Sequence, residues 1–300
     1  MGAESVELPQ RARAEAQAAL ARAGVEVREL SRVDDLRELA ALLDAVWQPD
    51  PDNPPMTSEI LRALSKSGNY VVGAYDSQGM LGACVGFFTE PRLAGLHSHI
   101  AAVASRGRGR GVGHALKLHQ RAWALRRGVT HVSWTFDPLV RRNAYFNLVK
   151  LSAVPTEYLP DFYGRMGDAI NGGDRSDRLL VSWDLCAPHG RPLPATGEVP
   201  PDVALGRTPQ GAPVMPTDAQ SEAAVVRVAV PTDIERLRHD DPGLAAAWRS
   251  ALREVLGGLM AEGLQVTGFE RAGWYQLRRR HHPIVATDPP DPRHPAEENT

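Results

Sequence analysis

The stretch Ala104–Lys117, ASRGRGRGVGHALK, constrains this chain more than any other. Glycines at 107, 109, 111 and 113 alternate with arginines at 106, 108 and 110. An ordinary helical pattern follows, with Val112, Ala115, Leu116, His119, Ala122 and Trp123 on one face. LHSHIAAVA (96–104), just before it, reads as a strand. A strand, a glycine-rich basic turn and a helix starting at the last glycine make a cradle for pyrophosphate. The unpaired N–H groups of the turn and of the first helical turn converge on one spot, where the helix dipole adds positive charge. Glycine lets an anion approach the backbone closely. Three familiar glycine- or arginine-rich motifs fit the stretch less well. A dinucleotide fingerprint needs GxGxxG spacing and an acid about 20 residues on, where this chain has HVSWTF. No Gly-Lys-Ser/Thr follows, so Walker A fails. An RNA-binding arginine–glycine tract repeats and interleaves aromatics, whereas this one is single and joined to a strand and a helix.

The positive charge of that turn is local. Across 300 residues the formal net charge is −2, which gives no long-range field for nucleic acid or an anionic membrane. The length and a hydrophobic fraction of 43% suit a globular chain with a full core. Cys84 and Cys186 are too few for a disulfide framework, lack CxxC spacing, and lie in apolar segments that suggest buried thiols. No apolar run reaches the ~20 residues of a membrane span, and the charged N-terminus lacks an apolar signal core. A cytoplasmic location is the expectation. His281–His282 offer no third ligand, and no metal is expected.

The spacing predicts an N-terminal helix within residues 1–24, stopped by Gly24, and a first domain over 25–186. Within that domain VEVREL (25–30) is a strand, and a helix from Asp34–Asp35 carries Leu36, Leu39, Leu43 and Val46. A short helix capped by Thr57 and a hairpin through NYVVGAYD and GMLGACVGFF come next. After the glycine-rich turn and its helix come the strand THVSWTF (130–136), the helix NAYFNLVKL (143–151) and the strand RLLVSWDL (178–185). Residues 187–221 are proline-rich and read as a linker. Residues 222–280 form a strand–helix–strand extension, and 281–300 read as a disordered tail.

The trio Arg108, Gly111 and Gly113, spaced Arg-x-x-Gly-x-Gly, resembles the acyl-CoA loop of the GNAT superfamily of N-acetyltransferases. The order of elements over 25–186 is also similar. LHSHIAAVASRGRGRGVG, SWTFDPLVRRNAYFNLVKLSAV, DFYGRMGDAIN and SDRLLVSWDL look like a larger subfamily of predicted acyltransferases, whose C-terminal extension resembles RVAVPTDIERL and GLQVTGFER here. The resemblance implies an α/β (α+β) fold with a mixed central sheet flanked by helices. It implies an acyl-CoA-dependent N-acyltransferase working by direct transfer, with acetyl-CoA or succinyl-CoA as co-substrate and no metal. The acceptor it suggests is the amine of a small molecule, such as an amino acid. A CoA-binding module without turnover is the competing reading, with the extension serving oligomerisation, as in a homodimer, or partner binding.

Transfer to an amine needs an anchored pyrophosphate, a polarised thioester, a base and a fate for the thiolate. Anchoring falls to the 108–113 backbone (Arg108, Gly109, Arg110, Gly111, Val112, Gly113), with Arg106 a further phosphate candidate. The resemblance assigns the oxyanion donor and pantetheine edge to Ala101, Ala102 and Val103. His97 and His99 share one strand face, and either has the chemistry of a base at an ordinary pKa of about 6.5. Asn147 stands about where many relatives carry a tyrosine acid, leaving Tyr163, Tyr145 or solvent to protonate the thiolate; Asn143 and Asn147 are candidate CoA partners. Arg142 and Arg178 are candidates for an acceptor carboxylate, the alternative for Arg178 being a pair with Asp174 or Asp177. Trp134, Trp183 and Trp248 read as core aromatics.

Overall fold

The structure, a computed structural model, describes residues 3–50, 53–164, 166–168, 170–188, 190, 201–216 and 225–279. His281–His282, the tail and much of the proline-rich segment lie outside the described residues. The chain opens with α1 (Ala3–Ala23), β1 (Glu26–Glu29), α2 (Val33–Trp47) and α3 (Ser58–Lys66). β2 (Tyr70–Asp76), β3 (Gly79–Phe88) and β4 (Leu96–Val103) follow, then a 3-10 turn (Ser105–Gly107) and α4 (Val112–Leu125). β5 (His131–Phe136) leads to α5 (Arg141–Tyr145), which continues as a π turn (Phe146–Lys150), and then to β6 (Val154–Leu159) and β7 (Arg178–Asp184). These strands form one seven-stranded sheet in the order β1-β2-β3-β4-β5-β7-β6. Neighbours are antiparallel except β4 and β5, which run parallel.

Strand alternation gives the sheet two buried faces. On one, Tyr70, Val72, Ala74, Leu81 and Cys84 join the core with α4 and with α1, whose Ala12, Ala16, Ala19 and Ala23 make a buried small-residue stripe and which packs on α4. On the other, Val71, Ala83, Val85 and Ala102 pack with Leu36, Leu39, Leu43 and Leu61 of α2 and α3. Thr57 caps α3 as its sequence suggests, its Oγ1 accepting from Ile60 N at 3.4 Å. Lys117 and Gln120 of α4 are buried against the sheet, at Ser98 and Cys84, and Arg121 is buried where it meets Glu15 of α1 and the Leu185 carbonyl.

The C-terminal part is a second, five-stranded sheet, the strands following one another across it in the order 264–270, 274–279, 226–229, 202–207 and 213–214. Its strands are β8 (Asp202–Arg207), β9 (Pro213–Val214), β10 (Val226–Ala229), β11 (Leu264–Glu270) and β12 (Trp274–Arg279). Between β10 and β11 lie α6 (Ile234–Asp240) and α7 (Pro242–Leu252), which runs through a π turn (Arg253–Gly257) into α8 (Gly258–Ala261).

The structure departs from the sequence reading in three places. Residues 202–207 and 213–214, read as linker, are strands of this second sheet, with β8 parallel to β10. Val154–Leu159, given no element in the sequence reading, is β6. In both places proline hid the strand. Edge strands tolerate proline because one side of the ladder is unused, and both β6, which contains Pro155, and β9, which opens on Pro213, are edges. Cys186, expected to be buried, is exposed, while Cys84 is buried.

Ion pairs fasten the second sheet's helices to the first domain. Arg249 holds Asp137 at 2.9 Å and Asp174 at 2.9 Å, and Arg238 bonds the same two carboxylates. All four side chains are at most 8% exposed. Burial alone would raise the Asp137 pKa, but the two guanidiniums outweigh it and hold the carboxyl well below its ordinary range. Arg253 pairs with Asp177, and the Tyr275 hydroxyl donates to Pro138 O at 2.7 Å. The extension is thereby held at the end of β5 and against the β6–β7 connection.

Candidate active site

Between β4 and β5 the sheet comes apart. The two strands pair only at Leu96↔Val132 and His97↔Ser133, and beyond His97 β4 has no partner on that side. At the same point β4 bulges: Gly86 faces Ser98 and Val85 faces Ile100, so His99 is extra. Bulges bend a strand and re-aim its side chains. Here the bend coincides with the opening of a cleft of about 1060 Å³. One wall is β4 from Ser98 to Val103, including the expected Ala101, Ala102 and Val103. The cleft runs from the closed end at His97–Ser133 up to the glycine-rich turn.

At the open end Arg108, Gly109, Gly111, Val112 and Gly113 line the cleft. Gly109 and Gly111 have φ of +79° and +83°, left-handed values that disfavour any residue with a Cβ. Gly111 is the N-cap of α4 and offers no side-chain cap, so the first N–H groups of the helix have neither a helical carbonyl nor a capping oxygen from it. Arg110 does not join this set. Its guanidinium bonds Asp76 at 3.0 Å and Ala23 O at 3.3 Å, and Arg106 bonds Asp76 at 2.7 Å. Asp76 is held down to about pKa 2, chiefly by the Arg106 hydrogen bond. Two of the three arginines of the turn therefore brace it, and Arg108 alone of them lines the cleft.

The two histidines separate by position. Both rings pack on Phe87, 5.2 and 5.8 Å between centroids, and lie 6.2 Å from each other. His99 lines the cleft; His97 does not, and its Nδ1 lies 3.3 Å from Ser133 Oγ. Burial lowers both pKa values, that of His97 to about 4. On the opposite face of β4 sits a group not singled out from the sequence. Lys117 Nζ donates to Ser98 Oγ at 2.8 Å and Gln120 Oε1 at 3.2 Å, and lies 4.0 Å from the centre of the Trp134 ring. The side chain is buried but reaches the cleft, and burial lowers its pKa to about 8. Lys117 falls outside the apolar stripe read from the sequence, and solvent exposure is the ordinary fate of such a residue until the helix is seen to turn it toward Ser98 and Trp134 of the sheet. Trp134 is buried, as expected, but also forms cleft floor.

α5 and its π turn supply Asn143 and Asn147 on the far side of the cleft, Asn147 buried. Tyr145 also lines the cleft, its hydroxyl accepting from Arg271 Nε at 3.0 Å. The Tyr163 hydroxyl lies 3.0 Å from Thr135 Oγ1. Arg142 lines the cleft but is paired with Glu235 of the extension. Arg178 is buried with no carboxylate partner among the described residues. It bonds the Asp177 carbonyl at 2.9 Å, Asn171 Oδ1 at 3.2 Å and Met166 Sδ at 3.0 Å, and lies over the Tyr163 ring. Neither carboxylate pair considered from the sequence forms: Asp174 goes to Arg238 and Arg249, and the Asp177 carboxylate to Arg253 and Tyr158. Above Arg178 the α2–α3 and β6–β7 connections meet in a bridge between Pro49 and Asp168. Glu235, Arg238 and Arg271 of the extension line the same cleft.

No family model and no curated protein matches the chain. Similar solved structures include a protein from Desulfovibrio desulfuricans described within the GNAT family of acetyltransferases, at 14% identity, covering 54% of this chain and 99% of that one with a TM-score of 0.40. The ribosomal-protein-S5-alanine acetyltransferase from Vibrio fischeri is 16% identical, covering 56% and 96%, at a TM-score of 0.44. RimJ from Mycobacterium smegmatis, in complex with CoA-disulfide, is 18% identical, covering 54% and 83%, at 0.44. The chain's mixed central sheet flanked by helices agrees with the α/β core that the sequence resemblance implies. Among the described residues no helix is long and apolar enough to cross a membrane.

Proposed function

We propose that the protein is an acyl-CoA-dependent N-acyltransferase acting on the amine of a small molecule, with an amino acid as the favoured acceptor and acetyl or succinyl as the group transferred. The observation that carries this reading is the splay of β4 from β5, which joins an open helix start to a strand with free edge groups in one continuous cleft. The donor's pyrophosphate would rest on the N–H groups around Gly109–Gly113 with Arg108 beside it. Its pantetheine arm would pair with the free edge of β4 at Ala101–Val103 as an added strand. The thioester oxygen would then meet a backbone N–H of β4 near the bulge, where its developing negative charge is stabilised.

In this reading His99 takes a proton from the attacking amine, directly or through water, and His97 supports it. The bond formed is N–C, the bond broken is C–S, and the thiolate leaves with CoA. Tyr163 and solvent are its proton sources; Asn143 and Asn147 serve CoA rather than proton transfer. Arg178, with no carboxylate ion-paired to it among the described residues, is the group we assign to an acceptor carboxylate. Arg142 is the lesser candidate because Glu235 already neutralises it. The extension belongs to the site through Glu235, Arg238 and Arg271.

The test is thiol release from acetyl- and succinyl-CoA over a panel of amines, amino acids and peptides. Turnover on amino acids above amines without a carboxylate is the expected result. Saturable CoA binding with no turnover across the panel would favour a CoA-binding module, a reading that Asn147 at the expected tyrosine position keeps in play.

A further inference from the structure

We infer that the ammonium of Lys117 receives a carboxylate at the far end of the donor's acyl chain, so that the preferred donor carries a dicarboxylic acyl group. This rests on the acyl-CoA reading of the cleft and narrows it.

Position comes first. β4 and β5 separate just past His97↔Ser133, and Ser98 and Trp134 are the next residues on the two strands. Lys117 Nζ is fixed between those two, 2.8 Å from Ser98 Oγ and 4.0 Å from the Trp134 ring centre. The ammonium therefore occupies the blind end of the cleft, while the glycine-rich turn is at the other. A thioester held near the bulge at His99 would direct its acyl chain toward that blind end.

Charge is the second observation. Lys117 is 5% exposed, and no carboxylate among the described residues pairs with it. Its partners are all neutral: a serine hydroxyl, a glutamine carbonyl and an indole face. Cys84, whose thiol burial keeps protonated, lies behind them, accepting from Gln120 Nε2 at 3.5 Å. A buried cation without a counter-ion is costly, and an apolar side chain of similar length would stabilise the same helix face better. The arrangement makes sense if the counter-ion arrives with a ligand. An acetyl group has nothing to offer it, whereas an acyl chain ending in a carboxylate does. The Lys117 pKa of about 8 agrees, since a partner anion would return it toward the ordinary lysine range.

The experiment compares succinyl-CoA, butyryl-CoA and free CoA on the full chain, by calorimetric titration and by kcat/KM, for the wild type and Lys117→Met. The wild type is expected to bind and use succinyl-CoA at least about tenfold better than butyryl-CoA, the factor that one charge-assisted pair supplies. Lys117→Met should erase that preference while retaining affinity for CoA itself. Equal treatment of the two donors by the wild type would overturn the proposal, as would a variant that weakens both alike. Should Lys117→Met fail to fold, the wild-type comparison decides alone. Absence of any CoA binding would instead overturn the underlying acyl-CoA reading.

Discussion

His99 and His97 look equivalent in sequence and are not equivalent in space. His99 lines the cleft beside the bulge, whereas His97 sits where β4 and β5 are still paired. We expect His99→Ala to lower kcat about 10²-fold, the usual size of a general-base contribution, and His97→Ala to lower it much less. Thiol-release kinetics separate the two, and equal losses would contradict the assignment. The pH dependence follows from the sign of the shift. Burial lowers the His99 pKa, so the ring takes up its proton at a lower pH than an exposed imidazole. After correction for amine protonation, the acid limb of kcat/KM should therefore lie below about pH 6.5. An acid limb at or above that value would rule out His99 as the titrating base. Gly111 has a separate consequence. At φ +83° a Cβ costs about 1–2 kcal/mol, so Gly111→Ala should lower Tm and weaken CoA binding together.

The β4–β5 pair does at the level of elements what no single side chain does: it stops pairing and leaves a strand edge facing a cavity. The β6–β7 connection completes the acceptor side, because its Asn171 and Met166 hold Arg178 in place without neutralising it. Replacing Arg178 by Met should cut kcat/KM for amino acids by about 10- to 100-fold, the worth of a charge-assisted pair, and leave amines without a carboxylate nearly unaffected. A uniform loss over both classes would make Arg178 a purely structural residue. Much at this scale was legible beforehand. The turn at 105–113, the hairpin, α4 and β5 could be read because glycine, periodicity and β-branched residues act locally. β6 and β9 could not, because whether a proline within a strand is harmless depends on which strands become edges.

For the whole molecule the decisive feature is the buried set of Asp137 and Asp174 with Arg238 and Arg249, which ties the two sheets together. Removing one member of such a set leaves a buried charge short of partners, so Asp137→Asn should cost about 3 kcal/mol. Chemical denaturation measures it. The native pKa of Asp137 lies below the unfolded value, so its contribution is complete above the ordinary carboxylate pKa of about 3.9. It is lost as the pH falls below that range. The stability of the wild type should therefore drop more steeply than that of Asp137→Asn between about pH 4 and pH 2.

The residue order alone, through glycine placement and helical and strand periodicity, was enough for the anion-binding turn, the mixed α/β core and most of its elements, since these depend on neighbours within a few positions. The same order contained Arg106, Arg110, Lys117, Arg142 and Arg178 as five similar cations. Which of them brace a turn, which pairs with the extension and which stand in the cleft with no ion-paired carboxylate among the described residues depended on carboxylates as far away as Glu235. Those assignments are long-range electrostatics, and they exist only once the chain has packed.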